Sequence, residues 1–350
     1  MKQKRFLVTG GAGFIGSNIV ERLLKEGHFV RVLDNFSSGK EENLDFVLFP
    51  PTATRQPCLA GSPHGEAVGR QALTASFDII RGDIRDYAAC LEACADIDYV
   101  LHQAALRSVP KSMTCPHDYN AVNIDGTLNM LEAAAKQGVK RLVMASSSSV
   151  YGDAEIFPQK EEHPSKLLSP YALSKLAGEY YCRIFSQFFN LETVCLRYFN
   201  VFGPKQALDD EYAVVIPKFI HCILNNEQPP IFGTGKQSRD FTYIDNVVEA
   251  NILAAAVSLT ANPEPLTANP VPHAVLNVAT GKDNTVLELV QVLNKIIGKD
   301  IKPKFLPVRA GDAFRTNADI TKLKKTLSYT PKVTFAEGLR RTVEWFKKLN

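Results

Sequence analysis

The first 34 residues constrain the fold most strongly, because a strand, a glycine-rich turn, a helix and a second strand follow one another there. RFLVTG is short and apolar, SNIVERLLKEG has apolar residues at helical spacing, and FVRVLDN is strand-like again. A strand, a helix and a strand within about 30 residues predict one βαβ unit, in which the two strands are parallel.

The same alternation of strands and helices continues through the first half of the chain. It predicts an α/β fold with a Rossmann-type, doubly wound parallel sheet. The later strand-like segments are FDIIRGDI, DYVLHQAA, RLVMASSSS and LETVCLRYFN, and the helical segments among them are YAACLEAC, IDGTLNMLEAAAKQG and YALSKLAGEYYCRIFSQFF.

The rhythm changes in the second half, where strands become shorter and prolines more frequent. We therefore predict a Rossmann domain over residues 1–199, to which the chain returns at about 242–258 and 274–280. The remainder of residues 200–350 is predicted to form a smaller α/β lobe that binds the substrate.

Two segments do not fit either pattern. Residues 48–76 are rich in proline and glycine and predict a long surface loop. Residues 259–272, LTANPEPLTANPVP, are a near-exact tandem repeat of seven residues. We interpret the repeat as a solvated linker, with a binding loop as the alternative.

Composition excludes several classes of function. The 350 residues carry a net charge of +3, 45% of them are hydrophobic, and the basic residues are scattered, which argues against a nucleic-acid partner. No apolar stretch approaches the roughly 20 residues that span a bilayer, so we predict no membrane segment. The seven cysteines form no CxxC pair, which predicts reduced thiols in a cytoplasmic protein. No metal site is predicted.

The glycine-rich turn VTGGAGFIG is typical of a dinucleotide site. Gly10, Gly13 and Gly16 lie where the first strand turns into the first helix. A side chain there would keep a pyrophosphate away from the backbone, and the helix N-terminus offers free N–H groups to it. Asp34 ends the next strand, where a carboxylate accepts from both ribose hydroxyls and repels a 2′-phosphate. NAD is therefore predicted rather than NADP.

The segment GDIRD follows the third strand of the predicted sheet. It places Asp83 and Ile84 where an adenine edge could lie, although a plain turn explains these residues equally well.

SPYALSK contains a tyrosine and a lysine four residues apart, and it follows a strand that ends in Ser146–Ser149. A free tyrosine has a pKa near 10, but Lys175 and the positive nicotinamide ring would both favour the phenolate of Tyr171. A pKa lower by about two or three units would make this tyrosine a competent base. The pair alone is also typical of an exposed helix surface. The glycine turn and the serine-ended strand, in that order, favour the catalytic interpretation.

These segments together resemble the extended short-chain dehydrogenase/reductase family, and within it the UDP-hexose 4-epimerases. The resemblance covers nearly the whole chain, and residues 48–76 are the clearest departure. HQAALRSVP and RDFTYIDN especially resemble the branch that acts on UDP-N-acetylglucosamine in bacterial polysaccharide synthesis. The matching segments also include TGGAGFIGSNIV, LDNFSSG, GDIRD, NIDGTLNMLEAA, SSSSVYGD, SPYALSK, LRYFNVFGPKQ, AVVIPKFI and RAGDAFRTNADITKLKKTL.

The resemblance implies a role for each matching residue. The residues implied to bind NAD are Gly10, Gly13, Phe14, Ile15, Gly16, Asp34, Asn35, Asp83, Ile84, Ala104, Arg107, Asn123, Lys175 and Tyr198. The residues implied to be catalytic are Tyr171 as the base, Lys175, and Ser147, with Ser148 as the alternative serine. The residues implied to bind the substrate are Ser147, Ser148, Tyr171, Asn200, Arg239, Arg309, Asp312 and Thr316.

The implied reaction is C4 epimerisation of a UDP-sugar through a transient 4-keto sugar, with NAD bound throughout. Thr316 stands four residues beyond Asp312, where related enzymes face the 2-substituent of the sugar, and a small residue there admits an N-acetyl group. The resemblance therefore favours the pair UDP-N-acetylglucosamine (UDP-GlcNAc) and UDP-N-acetylgalactosamine (UDP-GalNAc). It also implies a homodimer through DGTLNMLEAAAKQ and YALSKLAGEYYCRIF.

Other activities of the same family, and a function of another class, are alternatives to this 4-epimerase activity. Dehydratases of the family carry an Asp–Glu pair where this chain has Ser148 and Ser149, and the decarboxylases carry a glutamate that is missing nearby. Epimerisation of UDP-N-acetylglucosaminuronate or of UDP-glucose and UDP-galactose stays open. A non-catalytic NAD-binding regulator is the alternative from another class.

Overall fold

The fold is that of a computed structural model, which describes residues 3–48, 70–74, 76–207, 215–259, 271–308 and 314–348, with the segment 70–74 described by its backbone alone. Predictions for Arg309 and Asp312, and for most of the 48–76 loop and the 259–272 repeat, lie outside these residues.

The strands and helices are numbered in chain order. The strands are β1 (Arg5–Thr9), β2 (Phe29–Asp34), β3 (Arg70–Thr74), β4 (Phe77–Arg81), β5 (Tyr99–His102), β6 (Arg141–Ser147), β7 (Glu192–Tyr198), β8 (Val201–Phe202), β9 (Pro230–Phe232), β10 (Ser238–Arg239), β11 (Thr242–Tyr243), β12 (His273–Val278), β13 (Asn284–Thr285), β14 (Lys304–Leu306) and β15 (Arg315–Thr316). The α-helices are α1 (Phe14–Lys25), α2 (Asp45–Leu48), α3 (Tyr87–Cys94), α4 (Val109–Thr114), α5 (Pro116–Tyr119), α6 (Gly126–Lys136), α7 (Pro170–Phe188), α8 (Val215–Leu224), α9 (Ile244–Ala256), α10 (Val286–Ile297), α11 (Thr321–Leu327) and α12 (Phe335–Lys347).

One large sheet organises the first half of the molecule, in the strand order β12-β7-β6-β5-β1-β2-β4-β3. Neighbouring strands from β12 to β4 are parallel, as predicted, and β1 pairs with β2 on one side and with β5 on the other. The chain therefore reverses its direction of progress across the sheet at β1, and such switch points are where ligands bind in this architecture. The predicted Rossmann-type α/β fold is confirmed.

The edge of this sheet corrects one prediction. The loop predicted over residues 48–76 contains a strand, β3, which pairs antiparallel with β4 and shifts register between Ala72 and Thr74. An edge strand pairs on one side only, so its sequence needs no continuous apolar run to hold it in the sheet.

Both faces of the sheet are covered by helices. Successive strand residues point to opposite faces, so Val8 and Val32 belong to one buried cluster while Leu7 and Leu33 belong to the other. Helices α1 and α9 pack on the first face, and α3, α6 and α7 pack on the second. Two-sided burial explains why these strands are apolar along their length instead of alternating.

The second half of the chain forms the smaller sheets. Strand β10 lies between β13 and β15, while β8 pairs with β11 and β9 pairs with β14. Helix α10 packs against α8 and α12. Strand β12 pairs with β7 in the large sheet, and helix α9 packs on that sheet. The predicted domain boundaries themselves stay a prediction.

No helix in the part of the chain that the structure describes is long and apolar enough to cross a membrane. The six cysteines among the described residues are free thiols.

Candidate active site

The glycine-rich turn connects β1 to α1 with almost no space for side chains. Gly10 has a φ of +66°, and a Cβ on it would lie 2.8 Å from the main-chain nitrogen of Ala104. A Cβ on Gly16 would lie 2.1 Å from the carbonyl oxygen of Gly10, so helix and turn can touch only because both residues lack side chains. Gly13 has an ordinary φ of −76° and, as N-cap, leaves the first turn of α1 without a side-chain cap. The N–H groups of that turn can therefore serve a phosphate.

Asp34 ends β2 beside this turn. One carboxylate oxygen accepts from the N–H of Ala12 at 2.9 Å, and the other accepts from the N–H of Phe36 at 2.8 Å. Burial raises the pKa of Asp34, and these two backbone hydrogen bonds oppose that rise. Each oxygen keeps a further lone pair, which is what ribose hydroxyls require.

Asp83 follows β4 on the same side of the sheet. It accepts from the Asn35 amide at 2.7 Å and pairs with Arg85 at 2.8 Å. The bond from Arg85 is the largest of the influences that hold the pKa of Asp83 well below its usual range.

A cleft of about 750 Å³ opens at the carboxyl ends of the strands of the large sheet. This volume, the glycine turn and the oriented Asp34 carboxylate fit a dinucleotide such as NAD. The predicted cofactor residues that line the cleft are Gly10, Gly13, Phe14, Ile15, Gly16, Asp34, Asn35, Asp83, Ile84, Ala104, Arg107, Lys175 and Tyr198.

Asn123 lies behind the wall of the cleft. It is buried, its amide oxygen accepts from the N–H of Leu106 at 2.8 Å, and its amide nitrogen donates to the Leu106 carbonyl at 2.9 Å. It therefore holds the loop after β5 in place. The resemblance implies a contact between Asn123 and NAD, but Asn123 is not among the residues that line the cleft.

Helix α7 delivers the tyrosine and the lysine to the cleft. The helix begins at Pro170, and the Ser169 hydroxyl caps it by accepting from the N–H of Ala172. Both Tyr171 and Lys175 line the cleft, one turn apart, as the spacing in SPYALSK predicts.

The tyrosine pKa differs from the expectation. Burial raises the pKa of Tyr171, and the opposing influences are a hydrogen bond with Ser147 and the charge of Arg107. Lys175 instead donates from Nζ to the carbonyl oxygen of Ala145 at 2.9 Å, and burial lowers its own pKa to about 8. The Lys175 ammonium is thus held by β6, and the expected lowering of the tyrosine pKa by Lys175 and the nicotinamide ring stays a prediction.

The four serines at the end of β6 divide between two sides of the strand. Ser147 accepts from the Ser149 hydroxyl at 2.9 Å, and its interaction with Tyr171 opposes the rise in the pKa of that tyrosine. Ser148 begins a short 3₁₀ helix and is half-buried. Of the two serines that the sequence left open, Ser147 is the one whose interaction with Tyr171 opposes the rise in the tyrosine pKa, and the choice of catalytic serine stays a prediction.

The sequence did not reveal the ion pair behind this strand end. The Ser146 hydroxyl donates to the carboxylate of Glu179. The same carboxylate accepts from Arg197 Nε at 2.9 Å and from Arg197 Nη2 at 2.7 Å. Glu179 is four residues beyond Lys175 on α7, so a charged residue on the inner face of this helix was the available signal.

Three predicted substrate residues come together in the second half of the chain. Asn200 donates from its amide to the Thr316 hydroxyl at 3.0 Å and to the Asp240 carbonyl at 3.2 Å. Arg239 is the direct strand partner of Thr316, because β10 and β15 are parallel neighbours.

Asp240, the residue after Arg239, anchors the group formed by Asn200, Arg239 and Thr316. Its buried carboxylate accepts from the N–H and hydroxyl of Thr280 and from the N–H of Gly281. Burial raises the pKa of Asp240 to about 6.

Fold and site together define a Rossmann-type enzyme that uses a nicotinamide dinucleotide. A family model described as the NAD dependent epimerase/dehydratase family matches residues 6–265. The chain therefore belongs to this family, and the expected NAD cofactor and the class of NAD-dependent UDP-sugar 4-epimerases are confirmed.

Individual relatives cover almost the whole chain. A putative UDP-glucose 4-epimerase of Methanocaldococcus jannaschii is 34% identical over 346 residues, which are 98% of this chain and 99% of that protein. The structure of UDP-N-acetylglucosamine 4-epimerase from Methanobrevibacter ruminantium M1 in complex with UDP-N-acetylmuramic acid is 39% identical, covers 100% of both chains and has a TM-score of 0.85. UDP-glucose 4-epimerase of Thermus thermophilus in complex with NAD is 34% identical, covers 98% of this chain and 99% of that one, and has a TM-score of 0.79.

Proposed function

We propose that this protein interconverts UDP-GlcNAc and UDP-GalNAc by reversible oxidation at C4 of the sugar. The observation that carries the proposal is the small Thr316 side chain, held beside Asn200 and next to Arg239 in the second lobe. NAD, when bound, supplies the acceptor and donor of hydride that such a reaction needs.

Tyr171 is proposed as the group that takes the proton of the 4-hydroxyl and later returns it. Its side chain is half-buried at the cleft wall, and Ser147 is near enough to oppose the rise in its pKa, so a substrate hydroxyl at this wall would lie near both groups. Because burial raises the pKa of this tyrosine in the protein alone, deprotonation must draw on positive charge brought near it. The charge of Arg107 already opposes the rise, and the oxidised nicotinamide ring would supply the further positive charge.

Lys175 is proposed to hold the nicotinamide ribose. Its ammonium is buried and already donates to Ala145, which leaves two N–H donors for other acceptors. The bond with the strand fixes the direction of the side chain, so that little rotamer entropy is lost when a hydroxyl binds.

Asn200, Arg239 and Thr316 are proposed to face the sugar diphosphate, together with Arg309 and Asp312. An arginine suits this position because its planar fork binds phosphate oxygens in pairs. A sugar oxidised at C4 must turn over before it is reduced from its other face, so the diphosphate has to remain anchored while the sugar moves. Thr316 leaves room for a 2-acetamido group, which a bulky residue would exclude.

UDP-glucose and UDP-galactose are the second candidate pair. The 34% identity with the putative UDP-glucose 4-epimerase supports them, and a site that admits an acetamido group also has room for a hydroxyl. A non-catalytic regulator is disfavoured, because such a protein has no need for a tyrosine and a buried lysine one turn apart at the cleft wall.

The deciding experiment compares kcat/KM for UDP-GlcNAc, UDP-glucose, UDP-glucuronate and UDP-N-acetylglucosaminuronate in parallel. We expect UDP-GlcNAc to be the best substrate by at least about tenfold, since one well-placed contact contributes roughly that factor. A higher kcat/KM for either uronate would contradict the proposal.

We also propose a homodimer formed through α6 and α7. Tyr180, Ile184 and Phe188 are 60%, 42% and 58% exposed, and their spacing places them along one side of α7. Light scattering coupled to gel filtration should give twice the mass of the chain. Replacing Ile184 with Glu should shift that mass toward the monomer, whereas an unchanged mass would contradict this interface.

A further inference from the structure

The segment that follows β8 lies against the cofactor cleft. Lys205, Gln206 and Ala207 line the cleft, although β8 itself pairs with β11 in the second half of the chain. Gln206 is buried and donates to the Val201 carbonyl, so the segment has a defined conformation.

Lys205 ties this segment to helix α1 and to the segment that follows β2. Its ammonium lies 2.9 Å from the carboxylate of Glu21 on α1 and 3.2 Å from the carbonyl oxygen of Asn43. Its position over the ring of Phe46, with Nζ 4.4 Å from the ring centroid, completes the contact with the loop after β2.

Two further bonds connect this link with the glycine turn itself. Asn43 donates from its amide to the carbonyl of Ala12 at 2.8 Å. Asn18, one turn before Glu21 on α1, donates to the Pro204 carbonyl at 3.4 Å. The turn, helix α1 and the segment after β8 are thus joined to one another by side-chain bonds next to the cleft.

From this geometry we infer that the Lys205–Glu21 ion pair slows the release of NAD by holding the segment after β8 against helix α1. Lys205 is a positioning residue in this role, because it acts on the wall of the cleft and not on the reacting atoms. Its side chain is only 16% exposed, so the pair is screened by solvent less than a surface pair would be. An epimerase needs such retention, because it must use the same NAD for oxidation and for reduction. The inference rests on the NAD cofactor and not on the identity of the sugar.

Glu21 provides a matched control, because it pairs with two lysines. Lys25 bonds with the other carboxylate oxygen at 2.7 Å, but it lies on the same helix and is 69% exposed. Lys25→Met therefore removes one charge from the same carboxylate without touching the link between α1 and the segment after β8. Lys205→Met removes the link and keeps most of the apolar stem.

The experiment measures how fast NAD leaves the loaded enzyme. Holoenzyme is freed of excess nucleotide by rapid desalting, and a coupled dehydrogenase that reduces only free NAD reports its appearance. We expect Lys205→Met to release NAD about tenfold faster than the wild type, since a hydrogen bond between charged groups contributes about that factor. Lys25→Met should release it at the wild-type rate.

Glu21→Gln tests the same link from its other end and serves if Lys205→Met does not fold. It should also accelerate release, and the double variant Glu21→Gln with Lys205→Met should release NAD no faster than the faster single variant. Equal release rates for Lys205→Met and Lys25→Met would overturn the inference, as would additive effects in the double variant. Release of NAD is measured without any sugar, so this outcome is independent of whether UDP-GlcNAc is the substrate.

Discussion

Lys175 Nζ donates to the main-chain carbonyl of Ala145 at 2.9 Å. One helical turn earlier on α7 stands Tyr171, whose raised pKa is opposed by its interaction with Ser147. Consecutive turns of α7 are therefore fastened to nearby residues of β6, which are themselves fixed by the large sheet. The bond from Lys175 thus holds the part of α7 that carries Tyr171 against β6.

Replacing Tyr171 with Phe should abolish turnover and preserve cofactor binding. Loss of a positioned base costs roughly 10²–10⁴ in rate, whereas the aromatic ring still fills its place in the wall. Initial rates with UDP-GlcNAc and the NAD content of the purified variant test this prediction. Tyr180→Phe, which removes an exposed hydroxyl on the same helix, should leave both quantities unchanged. Turnover within a few-fold of the wild type in Tyr171→Phe would contradict the assigned base.

Replacing Glu179 with Ala should destabilise the fold strongly. Glu179 and Arg197 are both about 5% exposed, so the variant leaves a buried guanidinium without its carboxylate. The expected loss in the free energy of unfolding is about 3–5 kcal/mol, measured by denaturant titration. Converting the pair together to Leu and Met should recover much of this loss. Glu155→Ala, at an exposed pair with Lys166, should have no measurable effect, and an equally small effect at Glu179 would be inconsistent with a buried pair.

Replacing Thr316 with Tyr should act on substrate choice. The larger side chain occupies the space proposed for the 2-acetamido group, so kcat/KM for UDP-GlcNAc should fall by more than about tenfold relative to that for UDP-glucose. Thr316→Val keeps the volume but loses the hydroxyl that accepts from Asn200, and it should leave the ratio between the two sugars almost unchanged. Equal losses on both sugars in Thr316→Tyr would rule out a steric gate.

His102 should make the fold sensitive to acid. Its ring lies between Thr9 and Thr127, 2.8 Å and 3.1 Å from their hydroxyls, and burial, with a smaller contribution from Lys175, lowers its pKa to about 3. An unfolded histidine titrates near pH 6.5, so between pH 6.5 and 3 the unfolded state binds the extra proton, and stability falls as the pH falls.

The expected loss through His102 is about 2 kcal/mol in the free energy of unfolding between pH 7 and pH 5. Denaturant titrations at both pH values should show that His102→Gln lacks this part of the pH dependence. His117→Gln, at an exposed position on α5, should retain it. An identical pH dependence in wild type and His102→Gln would show that the ring is not held neutral by the fold.

The sequence was sufficient for the large sheet, because its strands carry continuous apolar runs and its helices carry clear periodicity. The glycine turn could also be predicted, because a Cβ at Gly10 or Gly16 would collide with the backbone and these positions therefore require glycine. Strand β3 was missed because an edge strand has no comparable apolar signal.

Long-range polar pairs were the part that could not be predicted. Glu179 and Arg197 are separated by a helix end and a turn, and only the packing of α7 on β7 brings them together. Lys205 and Glu21 are 184 residues apart and pair where the segment after β8 meets α1. The direction of the Lys175 ammonium likewise depends on the strand beneath it, which the spacing of Tyr171 and Lys175 does not reveal.

The most direct measurement is proton NMR of the purified protein incubated with UDP-GlcNAc and no added cofactor. We predict that UDP-GalNAc appears and that the same final ratio is reached from UDP-GalNAc, with NAD already bound to the protein. No conversion in either direction, even after NAD is added and with the protein shown to be folded, would contradict epimerisation of this pair.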